Sequence, residues 1–166
     1  LLCAKLLIAQ GIKTIVAGTS DDDIRLDLAR QYGAARIVKV DQEDLMMVIE
    51  EETNGMGVDL AIECAGAEGS VQNCLKALRP LGQYVQVGHF GKDLRVTWDH
   101  VAFKQLRIDG SVGYTRETWS QTIRILDQGN LKVHDVITHR MPLSDWKTGF
   151  DLSEKKKAVK VLLIPD

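Results

Sequence analysis

The sequence predicts an α/β protein built on a doubly wound parallel sheet. Three observations predict it. Short apolar stretches of strand length, such as TIVAG and VDLAIEC, recur between longer stretches with helical spacing. Strand and helix alternate along most of the chain, the order that right-handed crossovers convert into parallel pairing. Glycine, proline or aspartate marks most of the joints.

Residues 1–10, LLCAKLLIAQ, are nearly all apolar helix formers, and Gly11 follows as a C-cap. A helix apolar almost all round is expected to be buried on more than one side. Its start lacks a cap, so the chain is expected to begin inside a helix. Residues 13–18, KTIVAG, read as a buried strand. Asp21, Asp22 and Asp23 then suit the positive end of a helix dipole, and Ile24, Leu28 and Tyr32 keep helical spacing to Gly33. Residues 36–40 form a strand. Asp41 is expected to cap the next helix, which carries Leu45, Val48 and Ile49 and ends near Asn54-Gly55. Residues 58–64 are a strand, 66–70 a turn, and 71–78 a helix stopped by Arg79-Pro80-Leu81-Gly82. Residues 83–88 are a strand, 97–105 a helix and 106–112 a strand. Residues 116–128 are a helix with Trp119, Ile123 and Leu126 facing inward, closing at Gly129-Asn130. The tail reads as a strand at 135–140, a helix at 144–155 and a strand at 158–164.

Composition bounds the function. The chain has 166 residues, 45% hydrophobic and 27% charged, enough to bury a core in one domain with a short appendage. A net charge of −2 gives no drive toward nucleic acid or an anionic membrane. No apolar run reaches the length of about 18 residues that spans a bilayer, and no signal peptide is visible. Cys3, Cys64 and Cys74 have no metal-ligand spacing, and His89, His100, His134 and His139 are scattered. A reduced, cytoplasmic setting is expected, and no metal ligand or catalytic residue is assigned to this chain.

The stretch TIVAGTSDDDIRLDLARQYGA, residues 14–34, passes from strand to helix through a glycine, two hydroxyls and three aspartates. In a dinucleotide-binding βαβ unit this corner holds the adenosine ribose. The glycine-rich phosphate loop of such a unit is not found in residues 1–13. The aspartates read equally well as helix caps, and one residue can do both. Corners at 64–66, 87–89 and 111–113 also follow strands, where open α/β sheets bind ligands. Cys64 reads as a small buried residue, His89 as exposed, and His139 as structural. Lys155, Lys156 and Lys157 read as a solvated helix end, and Trp98, Trp119 and Trp146 as core or interface residues.

VDLAIECAGAEGSVQNCLKALRPLGQYVQVG resembles the zinc-type medium-chain alcohol dehydrogenases, above all the sorbitol and threonine dehydrogenase branch. That family reads VDxxxExxG, a helix, then RxGGxxxxVG; here Leu81 replaces one glycine of the pair. LRIDGSVGYT, VITHRMPLSDWKTGFDL and KAVKVLLIPD match its later segments in order. The resemblance implies a Rossmann sheet that lacks its first strand and glycine loop, over residues 1–130. It also implies a C-terminal return segment, 131–166, that docks on a catalytic domain outside this chain. In strand order 3-2-1-4-5-6 the missing strand is central. Strands 14–18 and 58–64 then pair directly, or a segment outside this sequence or another molecule fills the slot.

By the same resemblance the family's ribose-binding acidic residue falls at Ser20, with Thr19 beside it, and Arg25 falls on a recurrent arginine. Cys64, Ala65 and Gly66 lie near adenosine and ribose. Val87, Gly88 and His89 lie toward the nicotinamide, and Ser111, Val112 and Gly113 near its carboxamide. The cofactor implied is NAD, because three carboxylates repel a 2′-phosphate; NADP is the alternative through Arg25. Zinc is implied in the catalytic domain outside this chain. The implied substrate is an alcohol or polyol, and the implied partner a second copy joined along the 106–112 edge. The chain by itself is expected to be inactive. Two rivals stand beside this reading: a zinc-free quinone reductase-type NADPH oxidoreductase domain, and a non-catalytic Rossmann nucleotide-binding module.

Overall fold

The computed structural model describes residues 1–129 and 131–165. Asn130, part of the expected helix stop and domain boundary, and Asp166, the end of the expected return segment, lie outside the described residues. The elements in chain order are α1 (Leu2–Ala9), β1 (Ile15–Gly18), α2 (Asp23–Gln31), β2 (Arg36–Lys39), α3 (Leu45–Thr53), β3 (Val58–Glu63) and α4 (Glu68–Ala77). They continue with β4 (Leu78–Gln86), α5 (Asp99–Phe103), β5 (Arg107–Gly110), α6 (Arg116–Asp127), β6 (Ile137–Pro142), α7 (Trp146–Glu154) and β7 (Lys160–Ile164). None of the described helices is long and apolar enough to cross a membrane.

Among the described residues every strand pair is parallel, and the strands fall into three sheets ordered β1-β2, β3-β4-β5 and β6-β7. Parallel neighbours need a crossover. Residues 40–57 and 111–136, which carry α3 and α6, lead instead from one sheet to another. Among the described residues β1 and β3 belong to different sheets, so these two strands do not pair directly.

The chain forms two compact units: residues 1–43 with 115–165, and residues 44–114. In the first, Leu26 and Ala29 of α2 and Val38 of β2 are buried. Gly149 lets α7 approach β6 and β7; a Cβ there would stand 3.1 Å from Met141 Sδ and 3.1 Å from Val161 Cγ1. Long-range polar contacts tie residues 131–165 to the start of the chain. Lys5 pairs with Asp135 and lies 3.9 Å from the Tyr32 ring centre, and Arg25 Nη2 donates to Ala158 O at 3.2 Å. In the second unit, Ala61, Val71, Leu75, Leu78 and Tyr84 form the core, with Val101 and Leu106 packed against it. Lys104 Nζ closes the end of α4 by donating to Leu75 O, Lys76 O and Leu78 O at 3.1, 2.7 and 2.6 Å.

Several expectations need correction. Asp44, not Asp41, caps α3, accepting from Met46 N at 2.7 Å, because it stands directly before the helix while Asp41 is drawn to Ser20. The buried face of α2 is Leu26 and Ala29; Ile24, one position round the helix, is exposed. Helix α4 starts at Glu68, whose charge suits the first turn, so 68–70 are helical rather than turn. Strand β4 starts at Leu78, and the Arg79–Gly82 stretch is absorbed as a register shift opposite Val58 and Leu60. No residue of α1 is buried, and Trp119 and Ile123 of α6 are exposed. The sheets of their own unit are two strands wide, too narrow to cover an all-round apolar helix or the full stripe of α6. Trp98 and Trp146 are exposed as well, which removes the core reading for all three tryptophans.

Candidate functional site

The register of the three-stranded sheet positions one candidate site. Glu63 pairs with Gln86, and Gln86 with Gly110, so β3, β4 and β5 end level with one another. The corners 64–66, 87–89 and 111–113 therefore leave the sheet side by side at its carboxyl end. Ser111 N donates to Gln86 O at 2.9 Å, and Val87 N and Gly88 N both donate to Glu63 O, at 2.9 and 3.0 Å. Cys64, Ala65, His89, Ser111, Val112 and Gly113 are exposed. The sequence reads Cys64 as buried, and the structure exposes it. Side chains alternate along a strand, and with Ala61 and Glu63 facing inward the next residue turns out.

Beneath these corners lies a polar network that the sequence reading left unassigned. Glu63 is fully buried. Its Oε1 accepts from Ala65 N at 2.9 Å and Gly66 N at 3.0 Å, and its Oε2 from Gly66 N at 3.1 Å and Gln86 Nε2 at 2.7 Å. Gln86 Nε2 also donates to Gly88 O at 2.7 Å, and Tyr84 donates its hydroxyl hydrogen to Gln86 Oε1. Burial, then the charge of Glu63, pushes the Cys74 thiol up to about 12. Burial also raises the Tyr84 phenol, with smaller contributions from Cys74 and Glu63. The signal was present in the sequence: Glu63 is a charged residue in phase with buried Ala61 in an otherwise apolar strand.

In the other unit, the corner after β1 is a charge cluster. Residues Ser20–Asp22 form a 3-10 turn before α2. Asp22 Oδ2 accepts from Thr19 Oγ1 at 2.9 Å, and Arg25 Nη1 donates to Asp22 Oδ1 at 2.9 Å. Lys156 Nζ lies 3.3 Å from Asp22 Oδ2, so at least this lysine of the expected solvated end has a partner. Burial raises the Asp22 carboxyl, but the hydrogen bonds from Thr19 and the charge of Lys156 outweigh it and leave it below the ordinary range. Ser20 N donates to Asp41 Oδ1 at 2.9 Å, and the Ser20 hydroxyl donates to Asp41 Oδ2. That bond holds the Asp41 carboxyl low. A carboxylate thus stands against Ser20, contributed by the second residue past β2.

At the level corners 64–66, 87–89 and 111–113, Gly66, Val87 and Gly88 are half-buried and the remaining residues are exposed. Among the described residues no three His, Cys, Asp or Glu side chains gather to hold a metal ion. Two shallow grooves, about 450 and 320 Å³, lie along α3 and at the amino ends of β3 and β4, and contain none of the expected site residues.

The profile of the family described as zinc-binding dehydrogenase matches residues 1–128. A sorbitol dehydrogenase of Halalkalibacterium halodurans is 28% identical over 166 residues, 99% of this chain and 48% of the relative. An L-threonine 3-dehydrogenase of Bacillus velezensis is 35% identical over 152 residues, 90% of this chain and 44% of the relative. The crystal structure of 2R,3R-butanediol dehydrogenase from Bacillus subtilis superposes with a TM-score of 0.85 at 24% identity, covering 99% of this chain and 47% of that one, which shows the fold. The chain thus spans about half the length of the relatives it matches.

Proposed function

The chain belongs to the zinc-binding dehydrogenase family, and from that membership we propose that it is the cofactor-binding half of an oxidoreductase moving a hydride between an alcohol or polyol and NAD. The observation that carries the reading is the level carboxyl edge of β3, β4 and β5, which three corners leave side by side. When bound, the nicotinamide supplies the hydride chemistry. The work of this chain is to hold the ring in a fixed place. Backbone of 64–66 takes the adenosine and ribose side, 87–89 the nicotinamide side, and 111–113 the carboxamide. In the unit of residues 1–43 and 115–165, Asp41 bonded to Ser20 and Asp22 bonded to Thr19 are both held below the ordinary carboxylate range, and two carboxylates at the Ser20 corner disfavour a phosphate there. Arg25, the candidate counter-charge, is engaged by Asp22 and Ala158. These two features support NAD over NADP.

The relatives named sorbitol, L-threonine and D-arabitol-phosphate dehydrogenases support the substrate class. Zinc, and the groups that polarise the alcohol, belong in this reading outside residues 1–166, so the 166-residue chain turns over no alcohol. Exposed Ile108, Val112 and Tyr114 along and beyond edge strand β5 support joining to a second copy there. Amide NMR of the chain tests the proposal, since it detects millimolar binding. NAD is expected to move the signals of residues 64–66, 87–89 and 111–113, with NADP weaker. No movement at those amides with saturating NAD overturns the reading.

A further inference from the structure

We propose that Glu63 is a positioning residue that sets the spacing between the adenosine corner and the nicotinamide corner of this site. The inference rests on the cofactor-binding reading above and adds a residue and a role to it. Glu63 is fully buried, and no lysine or arginine donates to it among its hydrogen bonds. A buried charge is costly unless its hydrogen-bonding capacity is filled. Here two backbone N–H groups of one corner and the Gln86 amide fill it, and every partner is a donor. Through its main-chain oxygen the same residue receives the N–H groups of Val87 and Gly88. Gln86 completes the link by bridging the carboxylate to Gly88 O.

The two corners are locked together closely enough to exclude even a methyl group. A Cβ on Gly88 would stand 2.6 Å from Glu63 Oε2 and would overlap Gly66 N; a Cβ on Gly66 would overlap His89 O. Core cohesion alone needs no carboxylate here, because apolar Val71, Leu75 and Leu78 already fill the interior. The carboxylate acts where the two loops meet and fixes their separation.

The substitution Glu63→Gln keeps the shape but places an NH2 opposite Gly66 N and Gln86 Nε2. Two donors then face a donor, Gln86 must turn away, and Gly88 O loses its partner. A role in spacing weakens the whole dinucleotide more than either half. The test measures NAD, AMP and nicotinamide mononucleotide binding by amide NMR, well below each variant's melting temperature. For Glu63→Gln the expected result is NAD affinity lower by about tenfold, from one or two unsatisfied buried groups, with AMP and nicotinamide mononucleotide changed by less than about threefold. Equal loss for all three ligands, or a lower melting temperature with NAD affinity intact, overturns the proposal and makes Glu63 structural only. Should Glu63→Gln not fold, Gln86→Met removes only the bridge and is expected to weaken NAD by about threefold to tenfold, again sparing the halves; unchanged NAD affinity there overturns it. Wild-type chain that binds none of the three ligands overturns the cofactor reading itself, and this role with it.

Discussion

One substitution, glycine to alanine, should change sign across three glycines of the same unit. At Gly69, inside α4, an added Cβ meets nothing within 4 Å. Alanine there removes unfolded-state freedom and should stabilise by about 0.5–1 kcal/mol. At Gly88 the added Cβ falls 2.6 Å from Glu63 Oε2 and 3.0 Å from Cys64 C, and inside contact distance of Gly66 N. Two of these obstacles are backbone, and the third is held by its own hydrogen bonds, so none can swing aside. Overpacking of a tight site costs about 1–3 kcal/mol, and Gly88→Ala should lie at or above the top of that range. At Gly66 the same clash, with His89 O, is joined by φ of +65°, which adds about 1–2 kcal/mol for any side chain. At about 2–4 °C per kcal/mol, Gly69→Ala should melt a few degrees above wild type and Gly88→Ala some 5 °C or more below it. Thermal unfolding followed by circular dichroism measures all three. Gly88→Ala melting with wild type would show that the corners are not interlocked, and the spacing argument for Glu63 would go with it.

The remaining predictions concern strain, thiol reactivity and acid. Leu81 has φ of +60° where the family pattern has glycine, and its side chain is 68% exposed. Both Leu81→Gly and Leu81→Ala lose the same side-chain contacts, so their difference isolates the backbone; the glycine variant should be more stable by about 0.5–1 kcal/mol in urea titration, and equal midpoints would refute the strain. Cys74, its thiol pushed up to about 12, should alkylate at least about tenfold more slowly at pH 8 than exposed Cys64, as read by peptide mass spectrometry. Bound NAD should protect Cys64, and unchanged labelling would argue against a cofactor at that corner. Hydrogen bonds from Arg107 and then Gln83 hold the Asp109 carboxyl below the ordinary range. A depressed carboxyl contributes stability above its unfolded value, near pH 4, and loses it as pH falls through the folded one. Asp109→Asn should therefore lower stability at neutral pH, converge with wild type at acid pH where the carboxyl is already protonated, and so flatten the acid limb below about pH 4; unchanged stability at neutral pH together with an unaltered acid limb would refute it.

How far the sequence could be read depended on the range of the interaction. Strand and helix order follows local periodicity, and the corners after residues 63, 86 and 110 follow from strand ends alone. Helix faces failed where cover was the issue: Trp119 and Ile123 have the right spacing for burial, but spacing does not say whether a sheet is wide enough to cover them. The cap of α3 went to Asp44 because Asp41 found a partner 21 residues earlier, a contact that local rules cannot see. Glu63 is legible as the acidic residue of the VDxxxExxG pattern, but its role is not, because its partner Gln86 comes from a different strand.

The same network limits what the glycine corner of this unit can bind. A glycine after a strand invites the reading of a phosphate cradle, since exposed backbone N–H groups attract anions. At Ala65 and Gly66 those N–H groups are already spent on Glu63, and the groups of Val87 and Gly88 on its main-chain oxygen. A second anion placed there would lack donors and would face a buried carboxylate at close range, where charge is weakly screened. In the proposed cofactor-binding reading, this unit takes the neutral parts of the dinucleotide and the pyrophosphate falls to other residues. This makes a directional prediction: free phosphate and pyrophosphate should leave the amide signals of 64–66 and 87–89 in place at concentrations where adenosine or nicotinamide riboside moves them. Pyrophosphate shifting Gly66 and Gly88 ahead of the nucleosides would mean that Glu63 releases those amides, and the division of labour argued here would be wrong.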